Sequence, residues 1–187
     1  MNPIEASSVL PHTSSSNLLA RVKHIASGDL AAAAYKIDHE GFYPAGIMQT
    51  LGQAGAFGAH LDCNGQQFGL AIDAMREIAR NCGSTGFLSW CHDVCGLYME
   101  QSGNPALMGS LLEEHVCANT LGGTALSNPM KTFAGIEKML LRAKRVTGGY
   151  RVSGALPWVS HIGRGQYCGA IAGVYLDDGS TSHEIMF

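Results

Sequence analysis

Over the first two thirds of the chain, apolar residues recur every three or four positions, with polar residues between them. This spacing predicts amphipathic helices, because it places the apolar side chains on one face. The stripe is clearest in the segment LAIDAMREIARNC, where the charged residues fall mostly on the opposite face. Five segments are predicted to be helical: 17–34, 44–60, 70–82, 84–103 and 104–121.

Local signals indicate where these helices begin and end. Gly41 and Pro44 lie in the turn DHEGFYP and are expected to separate the first helix from the second. Pro44 suits the first turn of the second helix, since its missing N–H is not needed there. Ser84 or Thr85 is a candidate cap for the fourth helix, and Asn104, followed by a proline, is a candidate cap for the fifth.

From Gly122 onward the pattern changes to short β-rich segments. The segments predicted to be strands are GTALS, YRVSG, LPWVS, YCGAIAGVYL and HEIMF. Two pairs of residues, Gly148-Gly149 and Asp178-Gly179, have the composition of hairpin turns. The sequence therefore predicts an α+β fold.

Three regions are expected. Residues 1–16 are polar and form a loose N-terminal arm, residues 17–121 form an all-α domain, and residues 122–187 form part of a β domain. The last segment, HEIMF, is apolar up to the final residue, which leaves a strand without its neighbour. We therefore expect the chain to be cut short at Phe187.

Composition narrows the class of protein. Hydrophobic residues make up 46% of the 187 residues and charged residues 14%, which is typical of a globular protein with a large core. The net charge is −3, and the one basic cluster, RAKR (142–145), is too short to predict nucleic-acid binding. No apolar run approaches the ~18 residues of a membrane span, and the N-terminus lacks a secretory signal, so a cytoplasmic location is expected.

The six cysteines lie mostly in apolar stretches, which favours buried reduced thiols over disulfides. The string Cys91-His92-x-x-Cys95 has some of the features of a metal site. However, its cysteines are one helical turn apart, and no second Cys/His pair stands at zinc-ribbon spacing. Packing on a helix is the favoured interpretation, and no metal site is predicted.

Four strings, in their order along the chain, resemble the acyl-CoA dehydrogenase flavoprotein superfamily over residues 35–187. IDHEGFYPAGIMQTLGQAGAFGAH is similar to the family's second helix and its D-x-x-G-x-[FY]-P entry. AIDAMREIARNCGSTGFLSWCH resembles the following helix pair, and TALSNP lies where the family has A-L-T-E-P. GGYRVSGALPWVSHIG is similar to the hairpin G-x-x-Y-x-[LIV]-x-G-x-K-x-W-I-T-N.

The resemblance implies an N-terminal helical domain, a middle antiparallel barrel-like β domain and a C-terminal four-helix domain. This chain would contain the first, an incomplete second and none of the third, where the family carries its catalytic glutamate. The implied cofactor is FAD. The implied partners are an acyl-CoA or related substrate, an electron-transfer acceptor, and either other copies of the chain in a homo-oligomer or the remainder of the enzyme.

By the same resemblance, Leu126 and Ser127 would contact the pyrimidine edge of the flavin. Trp158 would form an apolar wall against the flavin ring, and Ser160 would place its hydroxyl near the flavin N5. If LPWVS is a strand, Trp158 and Ser160 project to the same face. Without the family resemblance, a core tryptophan and an ordinary strand serine would be the preferred interpretation. His92 lies near the family's substrate cavity, although a lone helix histidine is more often a core residue.

Several residues depart from the family pattern. Asn128-Pro129 replaces Glu-Pro, MKTFAG replaces the segment with the acyl-CoA-binding serine, and Leu156 and His161 replace a lysine and an asparagine. These differences leave three hypotheses open. In the first, the chain is the N-terminal portion of an FAD-dependent acyl-CoA dehydrogenase-like enzyme, a family associated with fatty acid metabolism, and it lacks the catalytic base and is inactive alone. In the second, it is part of a flavin-dependent monooxygenase. In the third, it is a non-catalytic interaction module that pairs through its sheet.

Overall fold

The structure, a computed structural model, describes residues 15–176 and 178–187. The chain separates into two compact units, one ending at Leu121 and the other comprising Gly122–Phe187. Most of the expected N-terminal arm lies outside the described residues. Its last two positions belong to the first helix, α1.

Over the residues described, the first unit consists of helices and connecting loops and contains no strand. Its helices are α1 (Ser15–Ile25), α2 (Ala31–Glu40), α3 (Ala45–Gln53), α4 (Phe68–Asn81), α5 (Gly83–Gln101), α6 (Pro105–Met108) and α7 (Ser110–Val116). A π-helical turn, Ala26–Leu30, joins α1 to α2 without interrupting the helical path. The predicted helix 17–34 is therefore part of a longer one that continues to Glu40.

The predicted helix 44–60 was too long, because α3 ends at Gln53. The backbone then passes through Gly55 and Gly58 with φ of 89° and 81°, values that favour glycine and do not continue a right-handed helix. The predicted helix 104–121 is also divided, at Gly109, into α6 and α7. In both segments a periodic apolar pattern continues through a break in the helix.

The predicted helix ends are confirmed at two places and wrong at one. Gly41 has φ 68° and donates its N–H to the Lys36 carbonyl, which closes α2. The Asn104 side chain accepts the Ala106 N–H at 3.0 Å, which caps α6. The N-cap of α5 is Cys82, whose Sγ accepts the Thr85 N–H at 3.5 Å, so neither Ser84 nor Thr85 caps this helix.

Small residues allow close packing in the helical unit. A Cβ at Gly52 would lie 2.5 Å from the Ala118 Cβ and 2.7 Å from the Cys117 carbonyl, so only glycine fits between α3 and the end of α7. The main core is built from buried side chains of α1–α4 and the segments after α3 and α7. It includes Leu18, Val22, Leu30, Met48, Leu51, Phe57 and Ile78.

The second unit combines one short helix with two sheets. Its elements are β1 (Gly122–Thr124), α8 (Ser127–Phe133), β2 (Arg142–Val146), β3 (Gly149–Ser153), β4 (Tyr167–Gly169), β5 (Ile171–Tyr175) and β6 (Thr181–Met186). One sheet pairs β1 with β4, and the other has the order β3-β2-β5-β6. The α+β class is confirmed.

The sheets differ from the expected antiparallel, barrel-like arrangement. The β1–β4 and β2–β5 pairs are parallel, and only β2–β3 and β5–β6 are antiparallel. Over the described residues the strands form two separate open sheets. The two predicted hairpin turns are confirmed, since Gly148-Gly149 joins β2 to β3 and Asp178-Gly179 lies between β5 and β6.

One predicted strand in the second unit was wrong, and one strand was not predicted. LPWVS is not a strand, because residues 154–166 have irregular backbone. The basic string RAKR was not predicted to be a strand, yet it forms most of β2 at the centre of the larger sheet. The core of this unit lies on one face of that sheet. It includes Leu141, Ala143, Ala170, Ala172 and Val174, with Leu156 and Val159 packed against them.

Candidate functional site

The structure brings TALSNP and the segment around Ser160 together. Gly123 and Thr124 form the end of β1, and the Ser160 N–H lies 3.4 Å from the Thr124 carbonyl oxygen. A Cβ at position 123 would overlap the Ser160 carbonyl, so the Ser160 backbone rests directly on the glycine. The segment containing Trp158 is thereby anchored to the strand that leads into Leu126.

Leu126 and Ser127 occupy the junction between β1 and α8. The preceding residue, Ala125, donates its N–H to the Gly169 carbonyl at 2.9 Å, which ties the junction to the end of β4. The Leu126 carbonyl accepts the Met130 N–H at 2.9 Å, so Leu126 starts the helix and its side chain is half-buried. Ser127 is exposed at the first helical position.

Trp158 is not a core residue of its unit. Its side chain is 70% exposed, whereas Val159 beside it packs against the core and His161 is buried. The interpretation of Trp158 as an ordinary core tryptophan is therefore wrong. So is the argument that Trp158 and Ser160 share a strand face, because their segment is not a strand and Ser160 is half-buried.

These positions fit part of a site for a flat, mostly apolar ring. Such a site needs an apolar wall and a few hydroxyl or backbone groups at its edge. Trp158 offers an exposed indole surface, and Ser127 offers an exposed hydroxyl. Leu126 and Ser160 are connected to each other through β1 and the Gly123 contact. Whether all four residues touch a flavin stays a prediction.

Asn128, which stands where the family has the glutamate of Glu-Pro, has a structural role that was not predicted from the sequence. Asn128 is 4% exposed, and its side-chain oxygen accepts the Leu140 N–H at 2.9 Å. Its Nδ2 donates to the Lys138 carbonyl at 2.9 Å and to the Glu137 carboxylate at 3.2 Å. An amide supplies both a donor and an acceptor, which a carboxylate does not. Asn128 therefore fastens the segment before β2 to α8.

The carboxylate of Glu137 is held by two side chains. Lys131 donates from Nζ at 2.8 Å, and Asn128 donates from the other side. Hydrogen bonds from Lys131 and then Asn128 lower the pKa of Glu137 from its ordinary value. Lys131 lies within MKTFAG (130–135), and Asn128 and Glu137 flank that segment on either side. The three side chains form a small polar cluster.

His92 lies inside the helical unit with no exposed surface. Its Nε2 donates to the His115 carbonyl at 2.9 Å, and the His115 Nε2 donates to the His92 carbonyl at 2.8 Å. The two rings stack with their centroids 3.7 Å apart, and Phe57 meets His92 edge-on at 4.7 Å. Substrate contact by His92 stays a prediction, and its burial favours a role in joining α5 to α7.

A second polar cluster beside His92 was not predicted from the sequence. Asp93 accepts the Gly58 N–H at 3.1 Å, and the Asp93 carbonyl accepts the His60 Nε2–H at 2.8 Å. The Asn64 amide completes the cluster by donating to the Gly58 carbonyl at 2.9 Å. These contacts hold the irregular segment after α3 against α5.

Burial perturbs both titratable groups of this cluster. Loss of solvent raises the pKa of Asp93 to about 7, against a smaller opposing effect of the Gly58 hydrogen bond. Burial also lowers the pKa of His60, opposed by its bond to the Asp93 carbonyl and by the charge of Glu100. The His60 Nδ1 has no hydrogen-bond partner and faces the Asp93 carboxylate oxygen at 3.7 Å.

The cysteines are all free thiols, and Cys91 and Cys95 are buried on α5. Across residues 15–176 and 178–187, no three His, Cys, Asp or Glu side chains converge as ligands for a metal ion. In the same ranges, no helix is long and apolar enough to cross a membrane.

Comparison with known proteins identifies the family to which the fold belongs. The sequence model of a family described as "Acyl-CoA dehydrogenase, N-terminal domain" matches residues 13–116, more than half of the chain. A search of curated protein sequences finds no match.

Solved structures match over nearly the whole chain. One is butyryl-CoA dehydrogenase from Megasphaera elsdenii, with a TM-score of 0.77, 18% identity, and coverage of 95% of this chain and 49% of the other. Another is a glutaryl-CoA dehydrogenase from Mycobacterium smegmatis in complex with FADH2, with a TM-score of 0.75, 16% identity, and coverage of 96% and 46%. A third is the HsaA monooxygenase from M. tuberculosis, with a TM-score of 0.68, 19% identity, and coverage of 94% of this chain and 44% of the other. The chain therefore spans less than half the length of each of these structures.

Proposed function

Since the chain belongs to the acyl-CoA dehydrogenase family, we propose that it is the N-terminal portion of an FAD-dependent acyl-CoA dehydrogenase-like oxidoreductase. The observation that carries the proposal is the contact between β1 and Ser160, which joins the two segments expected to border the flavin. The similarity in fold to a glutaryl-CoA dehydrogenase bound to FADH2 supports the same cofactor.

The residues of the second unit have distinct proposed roles. Trp158 provides a face for the flavin ring, and the Gly123 contact fixes the backbone on which Trp158 and Ser160 stand. The Ser160 hydroxyl and the Leu126–Ser127 junction supply the polar edge. Bound FAD would accept a hydride from the β-carbon of an acyl thioester, while the protein positions the groups and excludes water. The carboxylate base of this reaction is not assigned to any residue of this chain.

Binding of FAD is the first test. The chain contains two tryptophans, Trp90 on α5 and Trp158, so Trp90→Phe leaves Trp158 as the only indole emitter. We expect FAD to quench the Trp158 emission in that variant as the ring stacks on the indole. Trp158→Phe keeps an aromatic wall and should retain binding, whereas Trp158→Ala should weaken it by about tenfold.

The matched control is the emission of Trp90 in Trp158→Phe. If FAD quenches Trp90 as strongly as Trp158, or if Trp158→Ala binds FAD with unchanged affinity, the proposed flavin wall is wrong. Unchanged melting temperatures of the variants, measured without FAD, keep a loss of folding from being mistaken for a loss of binding.

A flavin-dependent monooxygenase is the second candidate. Two observations favour it: the fold is also similar to that of the HsaA monooxygenase, and the segment that bears the family's acyl-CoA serine is replaced by MKTFAG. The two reactions differ in their electron donor. A protein containing this chain would reduce a dye when given an acyl-CoA if it is a dehydrogenase. It would consume oxygen when given an NADH-dependent flavin reductase if it is a monooxygenase.

The remaining expectations are also proposals. If the protein is a dehydrogenase, we expect it to use an electron-transfer acceptor and to form a homo-oligomer. We expect no turnover from these 187 residues alone. A non-catalytic module is the third candidate, because β3 and β6 each have an unpaired edge among the described strands. The non-catalytic module would be favoured over both enzymes if the chain purifies without the yellow colour of flavin, does not bind added FAD and forms a stable oligomer.

A further inference from the structure

The face of the larger sheet that points away from the core of the second unit carries a cluster of cations. Arg142 and Lys144 lie on one face of β2, and Arg151 on β3 stands directly opposite Lys144 in the antiparallel register. Residues directly opposite have Cβ atoms about 5 Å apart, and alternate residues on a strand are about 7 Å apart. Three positive side chains therefore rise from a patch of roughly 5 by 7 Å.

One of these cations is held in place by an aromatic ring. The Arg142 guanidinium carbon lies 3.6 Å from the centre of the Tyr175 ring. Position 173, which pairs with Arg142 across β2 and β5, is a glycine, and a Cβ there would lie 3.2 Å from the Tyr175 ring. The missing side chain lets the ring lie over the sheet beside Arg142. This stacking fixes the plane of the guanidinium and reduces the rotamer freedom it would lose on binding a ligand.

The cations border an open groove of about 420 Å³ beside the turn that follows β5. The described residues that line it include Ser153 and Gly179 in addition to the three cations and Tyr175, and none of them is acidic. Acidic residues do lie near Arg142, but on its other side, where Glu137 and Glu184 border a separate groove. The residues that line the first groove are therefore basic or uncharged, and Asp178 in the adjoining turn accepts hydrogen bonds from the Ser180 N–H and hydroxyl.

Like charges placed directly opposite across two strands destabilise a sheet. An anion bound between Lys144 and Arg151 would offset the repulsion between these two side chains. A fixed guanidinium with two neighbouring cations suits a phosphate group, because arginine offers paired N–H donors and lysine adds a compact charge. We propose that this groove binds a small phosphate-bearing anion, with Arg142, Lys144 and Arg151 as its ligands and the Tyr175 ring as the support of Arg142.

The site does not depend on the proposed flavin function. None of the groove residues is Leu126, Ser127, Trp158 or Ser160, so the two sites can be tested separately. Trp158→Ala should leave anion binding unchanged, and loss of the anion site should leave the quenching of Trp158 by riboflavin, which carries no phosphate, unchanged.

The experiment uses inorganic pyrophosphate and orthophosphate as probes, with sulfate as a charge control. Backbone amide shifts of the whole chain in ¹H–¹⁵N spectra locate the binding, and calorimetry gives the affinity. We expect shifts confined to β2, β3 and the end of β5, with pyrophosphate binding more tightly than orthophosphate or sulfate. Lys144→Gln or Arg151→Gln should each weaken pyrophosphate by about threefold, and the double variant by about tenfold.

Two matched controls keep the proposal falsifiable. Arg145→Gln removes one charge from the same strand, but position 145 points to the opposite face, so binding should not change. Tyr175→Phe keeps the stacking and should bind normally, whereas Tyr175→Leu should weaken pyrophosphate. The proposal is overturned if millimolar pyrophosphate produces no local shifts at physiological ionic strength, or if Arg145→Gln weakens binding as much as Arg151→Gln.

Discussion

His92 and His115 hold each other by both ring and backbone: their imidazoles stack at 3.7 Å, and each Nε2 donates to the other residue's carbonyl. Both carbonyls accept, so both Nε2 atoms carry hydrogen. Gly96 on α5 makes room for the pair, since a Cβ there would lie 3.2 Å from the His115 ring. The pair therefore fastens α5 to α7 in the interior of the helical unit.

Removing either histidine should destabilise the helical unit. His92→Ala or His115→Ala leaves a cavity and a buried carbonyl without its donor, and we expect each to lower the free energy of unfolding by about 3 kcal/mol. The double variant should cost less than the sum of the two, because the contacts are shared. Urea denaturation measures this, with His24→Ala on the exposed surface of α1 as the control. Additive losses would show that the two rings act independently.

Replacing Asp93 by Asn should make the protein more stable above neutral pH. The folded pKa of Asp93 is raised to about 7, so its contribution is present at acid pH and is lost as the pH rises through 7. An asparagine keeps an acceptor for the Gly58 N–H without the buried charge. We expect a gain on the order of 2 kcal/mol at pH 8 and a smaller decline of stability between pH 4 and 7.

The opposing change in His60 provides the control for this pH effect. The pKa of His60 is lowered, so its contribution is present above its ordinary value of 6.5 and is lost as the pH falls through the folded pKa. His60→Gln should therefore reduce the loss of stability on acidification. Glu100 acts on His60 through its charge, so Glu100→Gln should lower the pKa of His60 further. Identical pH profiles for the parent protein, Asp93→Asn and His60→Gln would contradict both pKa shifts.

Asn128→Asp should weaken the second unit. The carboxylate lacks the N–H that serves the Lys138 carbonyl, and it would stand beside the negative charge of Glu137. We expect a loss of about 1–3 kcal/mol in the free energy of unfolding, measured by chemical denaturation. Asn119→Asp, which introduces the same change at an exposed position, is the control. Equal effects at the two positions would show that Asn128 does not fasten the segment before β2.

Gly123→Ala should displace the segment that carries Trp158. The new Cβ would overlap the Ser160 carbonyl, so the backbone must shift at a cost of about 1–3 kcal/mol. We expect a lower melting temperature and weaker FAD binding than in the parent protein. Gly83→Ala is the control, because a Cβ at Gly83 meets nothing within 4 Å. Normal FAD affinity in a folded Gly123→Ala protein would separate the flavin site from the Gly123–Ser160 contact.

The sequence by itself determined the features that depend on neighbouring residues. The end of α2 follows from Gly41, because glycine adopts φ 68° without the strain that a side chain would add. The start of α6 follows from Asn104, whose side chain accepts the N–H of Ala106, two residues further on. The turns at Gly148 and Gly179 are local in the same way. The change from helical to β-rich pattern at Gly122 also marks the boundary between the two compact units.

Only the tertiary structure decided the features that depend on distant partners. The irregular segment after α3 depends on Asp93, 35 residues from Gly58, and Ser160 leaves strand geometry where it rests on Gly123. A core position for His92 was one interpretation of the sequence, but its partner His115, 23 residues away, was not predicted. Apolar periodicity indicates which side of a segment is buried. It does not indicate which residue, distant in sequence, will form a hydrogen bond with a buried polar group. The exposure of Trp158 and the reciprocal histidine bonds were beyond the pattern for that reason.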